Sequence, residues 1–209
     1  MTPLDQIGAV TRALQDTERD GRPARALVAT QTYDAPLDDV WDAVTSPERL
    51  PRWFLPVSGD LVVGGRYQLE GNAGGTVLAC DPPRALSVTW EYGGEVTWVD
   101  VTLSDAAGST TLELRHTAVV DERWGEYGPG AVGIGWDMAL RGLAVHLATG
   151  EALDAAEAMA WSVSDEGREF VTRSGDRWYD ADVAGGADPS SARAAADRTI
   201  AAYTAVPEG

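Results

Sequence analysis

The sequence predicts an α+β domain in which a curved antiparallel sheet is wrapped on one long helix, with a helical appendage after it. Three observations lead there. From Val57 to Val119, apolar and polar residues alternate in short runs broken by glycine-rich turns, the period of strands with one buried face. From about 131 to 148 the period becomes helical, with Val132, Trp136, Leu140, Leu143 and Leu147 on one stripe. The element order is a strand, two short helices, a run of strands and the long helix. A sheet cannot leave its apolar face open to water, and the long helix is the available cover.

Each element has its own signal. Residues 4–17 are expected as a short helix, broken by Asp20-Gly21-Arg22-Pro23. Residues 25–33 read as the first strand. Leu37, Val40, Trp41 and Val44 fall at i, i+3, i+4 and i+7, one helix face, with Asp38 and Asp39 in the first turn favouring the dipole. Ser46-Pro47 reads as the start of a second short helix carrying Leu50, Trp53 and Phe54.

In the strand region Leu86, Val88, Trp90 and Tyr92 alternate with Ser87, Thr89 and Glu91. Thr97, Val99, Val101 and Leu103 alternate with Trp98, Asp100 and Thr102, and Leu112, Leu114 and His116 with Glu113, Arg115 and Thr117. Gly150 is placed to cap the long helix. Beyond it the chain is Ala-rich and acidic. Two helical stretches are expected there, with Ser164 and Asp188-Pro189 as starts and Met159, Trp161, Phe170, Trp178 and Tyr203 as anchors. The expected division is an N-terminal arm over 1–24, a sheet-and-helix domain over 25–149 and a helical extension over 150–209.

Composition narrows the function classes. The net charge is −17, and every basic side chain besides the two histidines is arginine. With no lysine, Schiff-base catalysis and a Walker A lysine are excluded. The charge repels phosphate backbones and anionic membranes, so neither nucleic acid nor membrane is an expected partner. The single cysteine, Cys80, permits no intramolecular disulfide, which suits a reducing cytoplasm. The N-terminus lacks the features of a signal peptide, and a cytoplasmic location is expected.

Several separated motifs carry a family resemblance. Trp41-Asp42-Ala43-Val44-Thr45-Ser46-Pro47-Glu48-Arg49-Leu50-Pro51-Arg52-Trp53-Phe54 comes first. Gly64-Gly65-Arg66-Tyr67, Gly74-Gly75-Thr76-Val77, Asp81-Pro82-Pro83-Arg84-Ala85-Leu86 and Thr89-Trp90-Glu91 follow, and Gly135-Trp136-Asp137 lies in the long helix. In this order, over roughly 25–149, they resemble the activator of Hsp90 ATPase homologue-like branch of the SRPBCC (Bet v 1-like, START-like) superfamily, in an actinobacterial type with a C-terminal helical extension. The resemblance implies a helix-grip fold, with a cavity between sheet and long helix that takes apolar small molecules. It also implies two alternatives, a polyketide cyclase or dehydratase using the same cavity and a co-chaperone-like interaction module. Only about 24 residues precede the first strand, too few for the separate N-terminal domain of the eukaryotic co-chaperones, so an Hsp90-type chaperone is not the expected partner. An apolar small molecule and a second copy of the chain, as a homodimer, remain open as partners.

Candidate site residues follow from phase and type. Trp53, Tyr67, Trp90, Trp98, His116 and Trp136 are the candidates for lining a ligand cavity, where rings suit a flat, apolar or aromatic ligand. His116 shares its strand face with Leu112 and Leu114. No catalytic set is legible, and His116 and Asp137 are the only acid-base candidates. The plainer expectation for Asp137 is an i, i+4 pair with Arg141 on the helix surface, and for His146 a structural place near the helix end, where a positive charge suits the dipole. Gly133, Gly135 and Gly142 each cost a helix about 1 kcal/mol against alanine and would permit close approach of backbone or ligand. Two histidines and one cysteine at scattered positions give no metal spacing, and neither metal nor cofactor is expected.

Overall fold

A computed structural model describes residues 3–205. The chain runs α1 (Pro3–Ala9), β1 (Thr11–Arg19), β2 (Arg22–Tyr33), α2 (Leu37–Thr45), β3 (Val57–Gly59), β4 (Arg66–Leu69), β5 (Gly74–Asp81), β6 (Ala85–Tyr92), β7 (Glu95–Ala106) and β8 (Ser109–Val119). Helices α3 (Glu122–Tyr127), α4 (Gly130–Thr149), α5 (Ala155–Ser162), α6 (Asp165–Ala184) and α7 (Pro189–Thr204) follow. The eight strands form one sheet in the order β1-β2-β8-β7-β6-β5-β4-β3, and the ladders from β3 to β8 are antiparallel. This is the α+β helix-grip class, a curved antiparallel sheet with one long helix and added C-terminal helices.

Two elements differ from their sequence signals. The helix expected over 4–17 ends at Ala9, and the chain continues as β1. The second short helix after Ser46-Pro47 is a turn leading to a single 3-10 turn over Leu50–Arg52, and Ser46 caps the end of α2 instead. The extension holds three helices where two are expected. Ser164 and Asp188 do cap α6 and α7, their side chains accepting from the backbone N–H groups of Gly167 and Ser191.

Compactness divides the chain into two units. The first comprises Met1–Leu27, Val119–Arg141 and Leu153–Gly209. Its core is built on Ile134, Phe170 and Trp178, all fully buried, and on Ala192, Ala195 and Ala196 of α7. Those alanines fall at i, i+3 and i+4 on one face of α7, and Ile200 of the same face fills the space left by Gly175 of α6. Gly133 has a specific reason to lack a side chain, because a methyl group there would overlap the indole of Trp178. Its room is filled by a tryptophan of α6. The C-terminal helix is tied back by polar contacts. Thr199 Oγ1 donates to the Tyr127 carbonyl at 2.7 Å, Arg198 Nε to that of Glu126 at 2.7 Å, and the Tyr203 hydroxyl to that of Ala131 at 2.9 Å. Met159, expected as an anchor, is 72% exposed.

The second unit comprises Val28–Ala118 and Gly142–Ala152. Val88↔Val99↔His116 and Leu86↔Val101↔Leu114 align across β6, β7 and β8, so these residues share one face of the sheet. At the β5–β6 ladder the backbones approach so closely that a methyl group on Gly75 would overlap the Thr89 carbonyl oxygen. Backbone cannot swing aside as a long side chain can. Gly75→Ala is therefore expected to cost about 2–3 kcal/mol, read as a lower denaturant midpoint. An unchanged midpoint would show that β5 shifts freely.

Candidate functional site

Pairing register decides which candidates meet. On the face that carries His116, Trp90 of β6 lies opposite Thr97 of β7. His116 is 3% exposed. Its Nε2 lies 2.8 Å from Thr97 Oγ1, and Thr97 Oγ1 donates to the Trp90 carbonyl oxygen at 3.1 Å. The rings of Trp90 and His116 are tilted at 60° with centroids 6.2 Å apart. Burial disfavours the imidazolium and pushes the His116 pKa down to about 4. The group is thus a neutral imidazole, its Nε2 tied to a hydroxyl, beside an indole. Around it, Leu86, Trp90, Thr97 and Val101 of the same face are only half-buried.

The other candidates fall elsewhere. Trp98 aligns with Thr89 and Thr117, residues of the opposite face, so the pleat separates it from Trp90 and His116. Tyr67 is buried, and its hydroxyl reaches across the glycine pair of β5 to donate to the Thr89 carbonyl at 2.6 Å. Burial raises its pKa further above the ordinary phenol range. Trp53 follows the 3-10 turn, stacks on Phe54 with centroids 5.4 Å apart and donates its N–H to the Ala43 carbonyl at 2.8 Å. Trp136 is a buried residue of α4 in the first unit.

Asp137 belongs to a separate cluster. It is 1% exposed. Arg12 Nε lies 3.0 Å from Oδ2 and Arg12 Nη2 3.0 Å from Oδ1. The Trp178 indole N–H donates to Oδ2 at 3.1 Å, and the Ser174 hydroxyl donates to the same oxygen. Burial pushes this carboxyl up, while Arg12, Ser174 and Trp178 pull it down. Arg141, the partner expected from spacing, stacks over the Trp161 ring at 4.1 Å. A carboxylate that accepts from Arg12 Nε, Ser174 and Trp178, with Arg12 Nη2 as a further ion-pair contact, is a structural ion pair inside a packed core.

His146 is buried at 1% exposure. Arginine only donates, so Arg49 Nε and Nη2, at 3.3 and 3.1 Å, require a lone pair on His146 Nε2. Its Nδ1–H then donates to the Glu151 carbonyl at 2.9 Å. Arg49 continues to Asp39 and Asp42 of α2. His146→Leu strips Arg49 of an acceptor and Glu151 of a donor, and a loss of about 2 kcal/mol is expected in a denaturation curve. Two residues of this chemistry, Thr97 and Arg49, have no distinct signal in sequence. Thr97 could have been found only by its phase with Val99 and Val101. Among the described residues, no group of three His, Cys, Asp or Glu side chains could hold a metal ion, and no helix is long and apolar enough to cross a membrane.

Comparison with known proteins agrees with this fold. Residues 34–148 match the family described as activator of Hsp90 ATPase homolog 1-like protein. Two structures of CalU16 from Micromonospora echinospora are similar at 34% identity. The crystal structure covers 83% of this chain and 98% of CalU16 with a TM-score of 0.67. The solution structure covers 85% and 97% with a TM-score of 0.72. DynU16, a protein of the dynemicin biosynthetic locus, is 26% identical over 61% of this chain and 48% of its own, with a TM-score of 0.53. Protein MLL2253 from Mesorhizobium loti, 22% identical with a TM-score of 0.54 over 59% of this chain and 97% of its own, shares the fold. No curated protein matches the chain significantly. The match over 34–148 and the likeness to CalU16 along most of both chains place this protein in the activator of Hsp90 ATPase homolog 1-like family.

Proposed function

We propose that this protein is a cytoplasmic binding module that takes a small apolar, aromatic molecule on the His116 face of β6–β8, against the ring of Trp90. The observation that carries this is the uneven burial of that face. Val88, Val99 and Leu114 are buried, whereas Leu86, Trp90 and Val101 beside them keep solvent access. Apolar surface with one polar pair set into it, here His116 and Thr97, is the composition of small-molecule sites. The family membership supports the reading, since the fold class is a ligand-binding one, but a fold alone assigns no ligand.

An enzyme of the cyclase or dehydratase type, with His116 as proton acceptor, is the second reading. The likeness to DynU16 favours it. The chemistry of His116 argues against it. A general base works best with a pKa near the working pH, and an imidazole held at about 4 accepts protons poorly at neutrality.

Two measurements test the binding role. Native mass spectrometry of the purified protein should show a retained small molecule. Titration with naphthalene should quench tryptophan emission saturably, and Trp90→Leu should weaken that response in a folded protein. If naphthalene gives no saturable change and no adduct is retained, the binding role is wrong.

A further inference from the structure

Helix α5 turns its apolar side outward. Ala156, Met159, Ala160 and Val163 fall at i, i+3, i+4 and i+7, the spacing of one helix face, with Val163 ending the helix. All four are exposed, Met159 at 72% and Val163 at 49%. A surface helix ordinarily turns such a stripe to the core. In α5 the side that packs is that of Trp161, which at about 100° per residue lies across the helix from the stripe.

This orientation is fixed by contacts. The Arg141 guanidinium lies over the Trp161 ring at 4.1 Å, and the Phe170 ring meets it edge-on with centroids 5.4 Å apart. The indole N–H donates to Glu166 Oε2 at 2.8 Å. The Ser164 hydroxyl donates to the Trp161 carbonyl at 2.6 Å, and a methyl group on Gly167 would overlap that carbonyl oxygen. Rolling the stripe inward would break these contacts. A helix of eight residues is too short to hold itself together in water, so α5 gains order from whatever covers its stripe.

Charge decides what kind of cover fits. From 153 to 169 stand Asp154, Glu157, Asp165, Glu166 and Glu169 against one cation, Arg168. All five acidic residues are exposed, and Arg168 is already paired with Asp165 at 3.1 Å. We infer that α5 is a docking surface for an amphipathic helix of another protein, which lays an apolar stripe on Met159 and Val163 and sets arginine or lysine against the flanking carboxylates. Methionine suits such a face, because its side chain adapts to the shape that meets it. A second copy of this chain fits poorly. It would bring like charges together, and two helical turns cover far less than the roughly 800 Å² per partner of a stable interface. For a contact this small, opposite charge supplies encounter rate and register.

The test uses the full chain and three peptides. One is a fourteen-residue leucine–lysine peptide that forms an amphipathic helix, one has the same composition in scrambled order, and one is a leucine–glutamate helix of the same pattern. By fluorescence anisotropy the leucine–lysine helix should bind about tenfold more tightly than its scramble, and the leucine–glutamate helix should not bind. The methyl signal of Met159, assigned by its loss in Met159→Gln, should shift when the leucine–lysine helix is added. Met159→Gln with Val163→Gln alters no charge and touches only exposed residues. This double variant should bind helix and scramble equally. Equal binding by the wild type, an unmoved Met159 methyl signal, or a preference that survives the double change overturns the inference, since the attraction is then general to an acidic chain. Binding of the leucine–glutamate helix overturns it as well. So does a dimer in sedimentation equilibrium that the double variant abolishes, because the face then belongs to a second copy. The first two of these outcomes are read on the wild type and do not depend on the variant folding.

Discussion

Replacing Asp137 with alanine should cost the first unit about 3–5 kcal/mol, the range for breaking a buried ion pair by removing one partner. The reason lies in what stays behind. The Arg12 side chain is 4% exposed. Its Nη1 is already spent on the carbonyls of Ile7 and Val10, at 3.0 and 2.8 Å. Without Asp137 the rest of the guanidinium keeps its charge and has no counterion within the cluster. The Ser174 hydroxyl and the Trp178 N–H lose their acceptor as well. A cavity is added to these losses, since Trp178 is fully buried. Urea denaturation measures the effect. The double change Arg12→Met with Asp137→Leu should cost much less than Asp137→Ala, because it removes both charges and fills the space. A single-variant loss below about 1 kcal/mol would mean that Arg12 finds water, and the cluster would then be of little structural weight.

Acid should weaken the wild type through His116 by about 3 kcal/mol. The folded-state pKa of about 4 lies below the ordinary value of 6.5. Above pH 6.5 both the folded and the unfolded imidazole are neutral, and stability from this source is fully present. As pH falls from 6.5 towards 4, the unfolded chain binds a proton that the folded chain excludes, so stability declines through that window. At about 1.4 kcal/mol per pH unit, a gap of this size corresponds to the stated loss. Carboxylates also titrate on the acid side, so the informative quantity is the difference between the wild type and His116→Leu. That difference should shift against the wild type between pH 7 and pH 4. A difference that stays constant with pH would place His116 in contact with water.

The parts of this fold that were legible in the sequence are those whose signal is periodic or local. The β6–β8 alternation is clean because apolar and polar residues keep strict phase along each strand, with Val88, Val99, Leu103, Leu112 and Leu114 of one face buried. Helix α4 was readable to within a residue at each end, since its stripe is long and Gly150, with φ of 70°, closes it. Strand β1 was not legible. It lies at the sheet edge and most of its residues are exposed, so it lacks period-two burial. The buried Ile7, Val10 and Leu14 fall at spacings of three and four, which mimic a helix.

Phase united Trp90 with His116 in the sequence, but Trp98, named with them for one cavity, aligns with Thr89 and Thr117 on the opposite face. The partners of Asp137 were hidden because they lie 125, 37 and 41 residues away. A spacing rule sees only four residues and offered Arg141. Long-range polar partners leave no periodicity, and they are what a single sequence conceals most completely.

The same separations set a timetable for synthesis. Arg12 pairs with Asp137, and Arg25 with Asp182, 157 residues further on. At 5–20 residues per second, Arg25 leaves the ribosome roughly 8–30 s before its partner exists. During that interval Arg25 has Asp16 but not Asp182, and β1 lacks the helix α6 that packs against it. The strands and turns of the second unit, whose partners are mostly sequence neighbours, are complete much earlier. Nascent chains stalled before residue 174 should accordingly be cut by protease near Arg12 and Arg25 while β4–β8 resist.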